Sequence, residues 1–177
     1  MQNKTAILLC ILFALLLLGC KNKPTQTTSN PSQAETKEQL IQANRLMVKK
    51  DKQRILGHIK RKNWDMTETE TGLWYQILEE GNGDKAKTGS LVTLEYTLGL
   101  LDGTVCYTSK EKGPKTFEIG RGGVESGLEQ GVLLCSEGSK VRLILPPHLG
   151  YGLPGDGDCI PARAILVYEI EVKTLKK

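Results

Sequence analysis

A glycine-rich loop, a pair of aspartates, two histidines and five cysteines are the residues of this 177-residue chain whose types could do chemistry. Gly150, Gly152 and Gly155 satisfy the GxGxxG spacing of a dinucleotide site, but Pro154 and the following GDG forbid the helix that must receive the pyrophosphate. Asp156 and Asp158 bring two carboxylates without the rest of a calcium loop, so a turn is their expected role. His58 and His148 are far apart and have no partner cysteine at ligand spacing, so neither a metal nor a cofactor is expected. No serine or cysteine has a recognisable base beside it, which argues against a hydrolase. The aromatic residues, taken singly, are ordinary core material.

Whatever site exists must be positioned by residues 71–177, where the pattern is β-rich. Residues 91–98 alternate, with Val92, Leu94, Tyr96 and Leu98 on one face and Thr93 and Glu95 on the other. Asp102 and Gly103 supply a tight turn into a second strand at 104–108. Alternation returns at 140–145, through Val141, Leu143 and Leu145, and at 165–175, through Leu166, Tyr168, Ile170 and Val172. The one helical signal is at 125–134, where Leu128 and Val132 lie four apart, and this helix is expected to cover the apolar face of the sheet.

In that order, EYTLGLLDGT, FEIGRGGVESGLEQGV, LGYG and IPARAILVYEIEV resemble the core hairpin, helix entry, flap loop and last strand of the FKBP-type peptidyl-prolyl isomerases. The resemblance spans most of residues 71–177. It implies an α+β fold, an antiparallel sheet wrapped around one short helix, with a basic amphipathic helix preceding it here. It also implies a noncovalent chemistry. Rotation about an X-Pro bond crosses a barrier of about 18–20 kcal/mol because twisting destroys amide resonance. A bowl that fits the twisted amide better than the planar one lowers that barrier without a cofactor.

By the resemblance, Tyr96, Tyr107, Tyr151 and Tyr168 would be the catalytic groups, while Cys106, Phe117, Val124, Glu125, Leu128 and Ile160 would hold the substrate. Tyr168 stands where phenylalanine is usual, and Leu128 takes the floor position where tryptophan is typical of the best-known members. Val124 and Glu125 would offer backbone groups to a peptide, and Tyr151 a hydroxyl. Cys106 and Tyr107 depart from the usual phenylalanine and aspartate, which points to weakened or narrowed activity. A Tyr107 hydroxyl can still donate a hydrogen bond, as an ionised aspartate cannot. In the family fold the positions of Cys106 and Cys159 are neighbours on the pocket rim, so a disulfide between them is expected, with three free thiols as the alternative and Cys135 a buried thiol. Two functions fit: a prolyl isomerase for exported polypeptides, or a module that grips proline-containing or apolar segments with little turnover.

The N-terminal third sets the compartment. Residues 1–19 hold a thirteen-residue apolar run, 6–18, too short to span a bilayer and therefore read as a signal peptide. Leu17, Leu18, Gly19 and Cys20 resemble a bacterial lipobox, which implies lipidation of Cys20, loss of Cys10 with the leader, and a membrane anchor of acyl chains. Residues 20–36 read as a tether without periodicity. Residues 37–64 read as a helix carrying nine basic residues against two acidic ones, whereas 71–177 carries twelve against fourteen, so the chain's formal charge of +4 belongs to the helix. Its apolar stripe is expected to pack on the folded domain or on a second copy, with an anionic membrane surface as the alternative; the oligomeric state stays open. Nucleic acid is not an expected partner, because the basic residues lack interleaved aromatics and an exported protein does not meet it. The lipobox, the basic helix and WDMTETETGLWYQILEEGNG together resemble the gliding-motility-associated FKBP-type lipoproteins of Bacteroidota. The expected location is the cell envelope, at the outer membrane facing the periplasm.

Overall fold

A computed structural model describes residues 33–176. The signal peptide at 1–19, the lipidation candidate Cys20 and most of the 20–36 tether lie outside the described residues. The described chain belongs to two units, one ending at Ile41 within the first helix and the other running from Gln42 onward.

The helix expected at 37–64 is α1, Gln33–Lys62. It is followed by β1 (Thr67–Glu68), β2 (Trp74–Glu79), β3 (Leu91–Leu100), β4 (Val105–Thr108), a one-turn α2 (Ser109–Lys112), β5 (Lys115–Glu118), α3 (Ser126–Leu133), β6 (Lys140–Leu145) and β7 (Leu166–Lys176). All pairings are antiparallel, in the order β1-β2-β6-β7-β3-β4, and β5 shares the outer edge of β3 with β4. Sequence patterning placed β3, β4, β6, β7 and α3 to within a residue or two. It did not identify β1, β2, β5 or α2.

On one face of the sheet, Val92, Leu94, Leu98, Val141, Leu143, Leu145, Leu166, Tyr168, Ile170 and Val172 are all buried against Leu128 and Val132 of α3. The helix lies flush because two glycines face the sheet. A Cβ on Gly127 would come within 2.6 Å of Leu145, and one on Gly131 within 2.3 Å of Leu143. Such distances are closer than real side chains approach one another.

The expectation of a single covered face is corrected. Ile144 of β6 is also fully buried, on the opposite face, where it clusters with Ile55 of α1, Trp74 and Ile165, flanked by Ile59 and Trp64. Asp51 of α1 pairs at 2.7 Å with Arg163, near the end of the long loop between β6 and β7. Arg142 stacks over Trp64 at 3.9 Å. The apolar stripe of α1 therefore packs only in part: Leu46 is 69% exposed, and Leu40, Met47, Val48 and Leu56 are exposed too. Among the described residues no helix is long and apolar enough to cross a membrane.

Candidate functional site

Four strands, one helix and one loop bring the family-matched positions together. β3 delivers Tyr96, β4 delivers Cys106 and Tyr107, and β5 delivers Phe117. Val124 and Glu125 lie in the turn that enters α3, and Leu128 sits on its first turn, fully buried. The loop after β6 carries Tyr151 and Ile160, and β7 adds Tyr168. Val124, Tyr96, Cys106, Tyr107 and Tyr151 are partly buried around the core that holds Phe117, Leu128, Ile160 and Tyr168. The Tyr96 and Tyr168 rings are tilted against each other with centroids 6.3 Å apart. All ten positions therefore belong to one constellation.

A disulfide joins Cys106 to Cys159, with Cα atoms 5.5 Å apart and a separation of 53 positions in sequence. It ties the flap loop of residues 150–164 to the second strand of the hairpin. Cys135 is a buried thiol that donates to the Gly131 carbonyl, and burial pushes its pKa up to about 12, so it is a poor nucleophile at neutral pH.

The Tyr107 hydroxyl donates to Asp156 Oδ2 and lies 3.3 Å from Asp158. That contact pushes the Tyr107 pKa up to about 12. Asp156 Oδ1 accepts the backbone N–H groups of Asp158 and Ile160, which is the turn role expected from the sequence. Burial raises the Asp156 pKa, but these three donors outweigh it and hold the carboxyl below its ordinary value. A carboxylate absent at position 107 is thus supplied from the flap, a role the turn reading did not include.

Glu125, which the sequence reading assigned only backbone groups, contributes its side chain as well. Its carbonyl is already occupied by the N–H groups of Leu128 and Glu129, in the first turn of α3. Its side chain is only 7% exposed and lies among Tyr168 and Lys115. Tyr168 donates its hydroxyl to Glu125 Oε1 at 2.9 Å, and Lys115 Nζ lies 3.6 Å from Oε2. Lys115 also sits over the Tyr96 and Tyr168 rings, at 5.3 and 5.9 Å. Burial, followed by the Glu125 carboxylate, raises the pKa of Tyr96, Tyr151 and Tyr168, keeping all three as phenols. The bowl has aromatic walls, Leu128 at its floor and a polar cluster of Glu125, Lys115 and the Tyr168 hydroxyl beside them. Lys115 was not legible as a site residue, because a lone lysine in a polar segment is usually solvated.

His58 packs edge-on to Trp64, with ring centroids 5.1 Å apart, and His148 Nε2 lies 2.9 Å from the Thr71 carbonyl. Among the described residues no group of three or more His, Cys, Asp and Glu side chains converges as metal ligands.

Comparison with known proteins agrees with this geometry. Residues 83–173, half of the chain, match the family model described as FKBP-type peptidyl-prolyl cis-trans isomerase. The FKBP-type peptidyl-prolyl cis-trans isomerase FkpA of Aeromonas hydrophila is 41% identical over 110 residues, which are 62% of this chain and 40% of that protein. FK506-binding protein 1 of Dictyostelium discoideum is 38% identical over 106 residues, which are 59% of this chain and 99% of that protein. Among solved structures, FkpA from Escherichia coli superposes with a TM-score of 0.62 at 26% identity, over 98% of this chain and 82% of its own. AtFKBP13 superposes with a TM-score of 0.60 at 31% identity, over 64% and 99%.

Proposed function

The chain belongs to the FKBP-type peptidyl-prolyl cis-trans isomerase family, and from that premise we propose that it isomerises X-Pro bonds in exported polypeptides while tethered to a membrane by lipid on Cys20. The observation that carries the reading is the convergence of Tyr96, Phe117, Tyr151, Ile160 and Tyr168 around Leu128. Such a bowl seats a proline ring against aromatic walls and keeps water from the imide carbonyl. The planar amide gains more from solvent than the twisted one does, so excluding water favours the twisted form. Tyr151, held as a phenol, is the hydroxyl placed to donate to that carbonyl; Tyr107 has its hydroxyl committed to Asp156. The flap is held for this task by the Cys106–Cys159 bond and the Asp156 turn.

The tether follows from residues 17–20, and the clients are proline-containing segments of proteins sharing the envelope. The outer membrane facing the periplasm is the proposed location, and a gliding or secretion machine the proposed beneficiary, on the likeness of the N-terminal segments to gliding-associated lipoproteins. Fractionating cells that express the wild-type chain and Cys20→Ser tests the anchor: the wild type is expected with membranes and the variant in the soluble fraction. Equal partitioning of the two would remove the lipid from this account.

A second reading is supported by the polar cluster of Glu125, Lys115 and the Tyr168 hydroxyl. The Glu125–Tyr168 hydrogen bond replaces part of the apolar surface that a proline ring contacts, which suits a module that binds without much turnover. Magnetisation-exchange NMR on Ala-X-Pro peptides separates the two, because it reads isomerisation and binding on the same sample.

A further inference from the structure

Glu125 Oε1 is satisfied by the Tyr168 hydroxyl, but Oε2 is buried and receives no hydrogen bond. Lys115 Nζ, 3.6 Å away, contributes charge without a hydrogen bond, since its position is shared with the Tyr96 and Tyr168 rings. A buried carboxylate oxygen left unmet costs free energy that a ligand's N–H can recover. The groups facing this carboxylate from the packed elements are Lys115 of β5, Tyr96 of β3 and Tyr168 of β7, with Tyr151 from the flap loop. On the rim above them Asp156 and Asp158 converge on Tyr107, whose ring carries Lys112 at 5.7 Å. Three carboxylates thus stand against two ammonium groups, and the bowl carries an acidic excess.

We propose that Glu125 is a specificity-determining residue whose unmet oxygen accepts an N–H from the side chain flanking the bound proline, so that the bowl prefers segments with a basic residue there. The inference rests on the bowl being the proline site of the preceding section. Apolar flanking residues leave Oε2 unmet, and acidic ones meet like charge. A charge-assisted hydrogen bond of this kind corresponds to a preference of about ten-fold or more.

The test uses the full chain with its disulfide intact and two peptide sets, with lysine, norleucine or glutamate either before or after the proline. Kd and exchange rate are read by NMR on each. Lysine is expected to bind about ten-fold tighter than norleucine in one set, and glutamate weakest. Glu125→Gln is expected to bring lysine and norleucine within about two-fold, whereas Lys115→Met, which removes the ammonium that competes with the ligand's for the carboxylate, is expected to widen the gap. Opposite shifts from the two variants cannot come from general damage to the fold. A lysine-to-norleucine ratio near one in the wild type, or a ratio unaltered in Glu125→Gln, would overturn the inference. Selective binding without accelerated exchange would overturn the isomerase reading and leave the selectivity standing.

Discussion

Tyr107 and Asp156, 49 residues apart in sequence, are joined hydroxyl to carboxylate across the mouth of the bowl. The bond sets a pH window. The carboxyl of Asp156 sits below its ordinary value in the folded protein, so its contribution to stability is present above about pH 4 and lost as pH falls through the folded value. The Tyr107 phenol sits above its ordinary value, at about 12, so its contribution is present below pH 10 and lost only as pH approaches 12. The Tm difference between wild type and Tyr107→Phe should therefore be constant between about pH 6 and 9 and shrink on acidification below pH 4.

Tyr107→Asp, which returns the family's usual residue, is not expected to raise activity by itself. It would set a second carboxylate against Asp156, without a donor between them. Tyr107→Asp combined with Asp156→Asn removes that repulsion, and kcat/KM should be higher in the double variant than in the single one.

The disulfide closes 53 residues of chain. By loop-closure entropy, its removal in a Cys106→Ser, Cys159→Ser double variant should lower unfolding free energy by about 2 to 4 kcal/mol. Urea denaturation measures the loss. Because the bond ties the flap to β4, amide exchange in residues 150–164 should accelerate more than exchange in β6 or β7.

Gly131 faces Leu143 on α3. Alanine there should improve helix propensity by about 1 kcal/mol, yet the clash with β6 should dominate and destabilise the protein by about 1 to 3 kcal/mol. Gly57 of α1, whose Cβ would meet nothing closer than Arg61 at 3.4 Å, is the control, and Gly57→Ala should be neutral or stabilising.

The parts of this fold that alternate over six or more residues were readable, because the period of two reports a sheet with a buried face. β5, with four residues after Pro114, is too short to show a period, and β2 has no clean alternation because its burial fades along its length. The second packed face had a signal that was not used: Leu143, Ile144 and Leu145 run consecutively, as in strands buried on both sides. Ile144 then needs a cover, and Ile55 and Ile59 of α1 provide it. The aromatic walls were legible only as a set of positions matched to a family. Glu125 was not, since a charged side chain next to an exposed turn is normally solvated, and only the Tyr168 hydroxyl and Lys115 brought from distant strands make its burial tolerable. The turn role of Asp156 was local and readable, whereas its partner Tyr107 is a tertiary fact.

The most direct test is magnetisation-exchange NMR on an Ala-Lys-Pro-Phe peptide with the oxidised full chain. The account predicts cis–trans exchange far faster than the uncatalysed time of about tens to hundreds of seconds, with substantially slower exchange in Tyr151→Phe at unchanged Tm. Exchange at the uncatalysed rate while the peptide is demonstrably bound would contradict it and identify the bowl as a binding module.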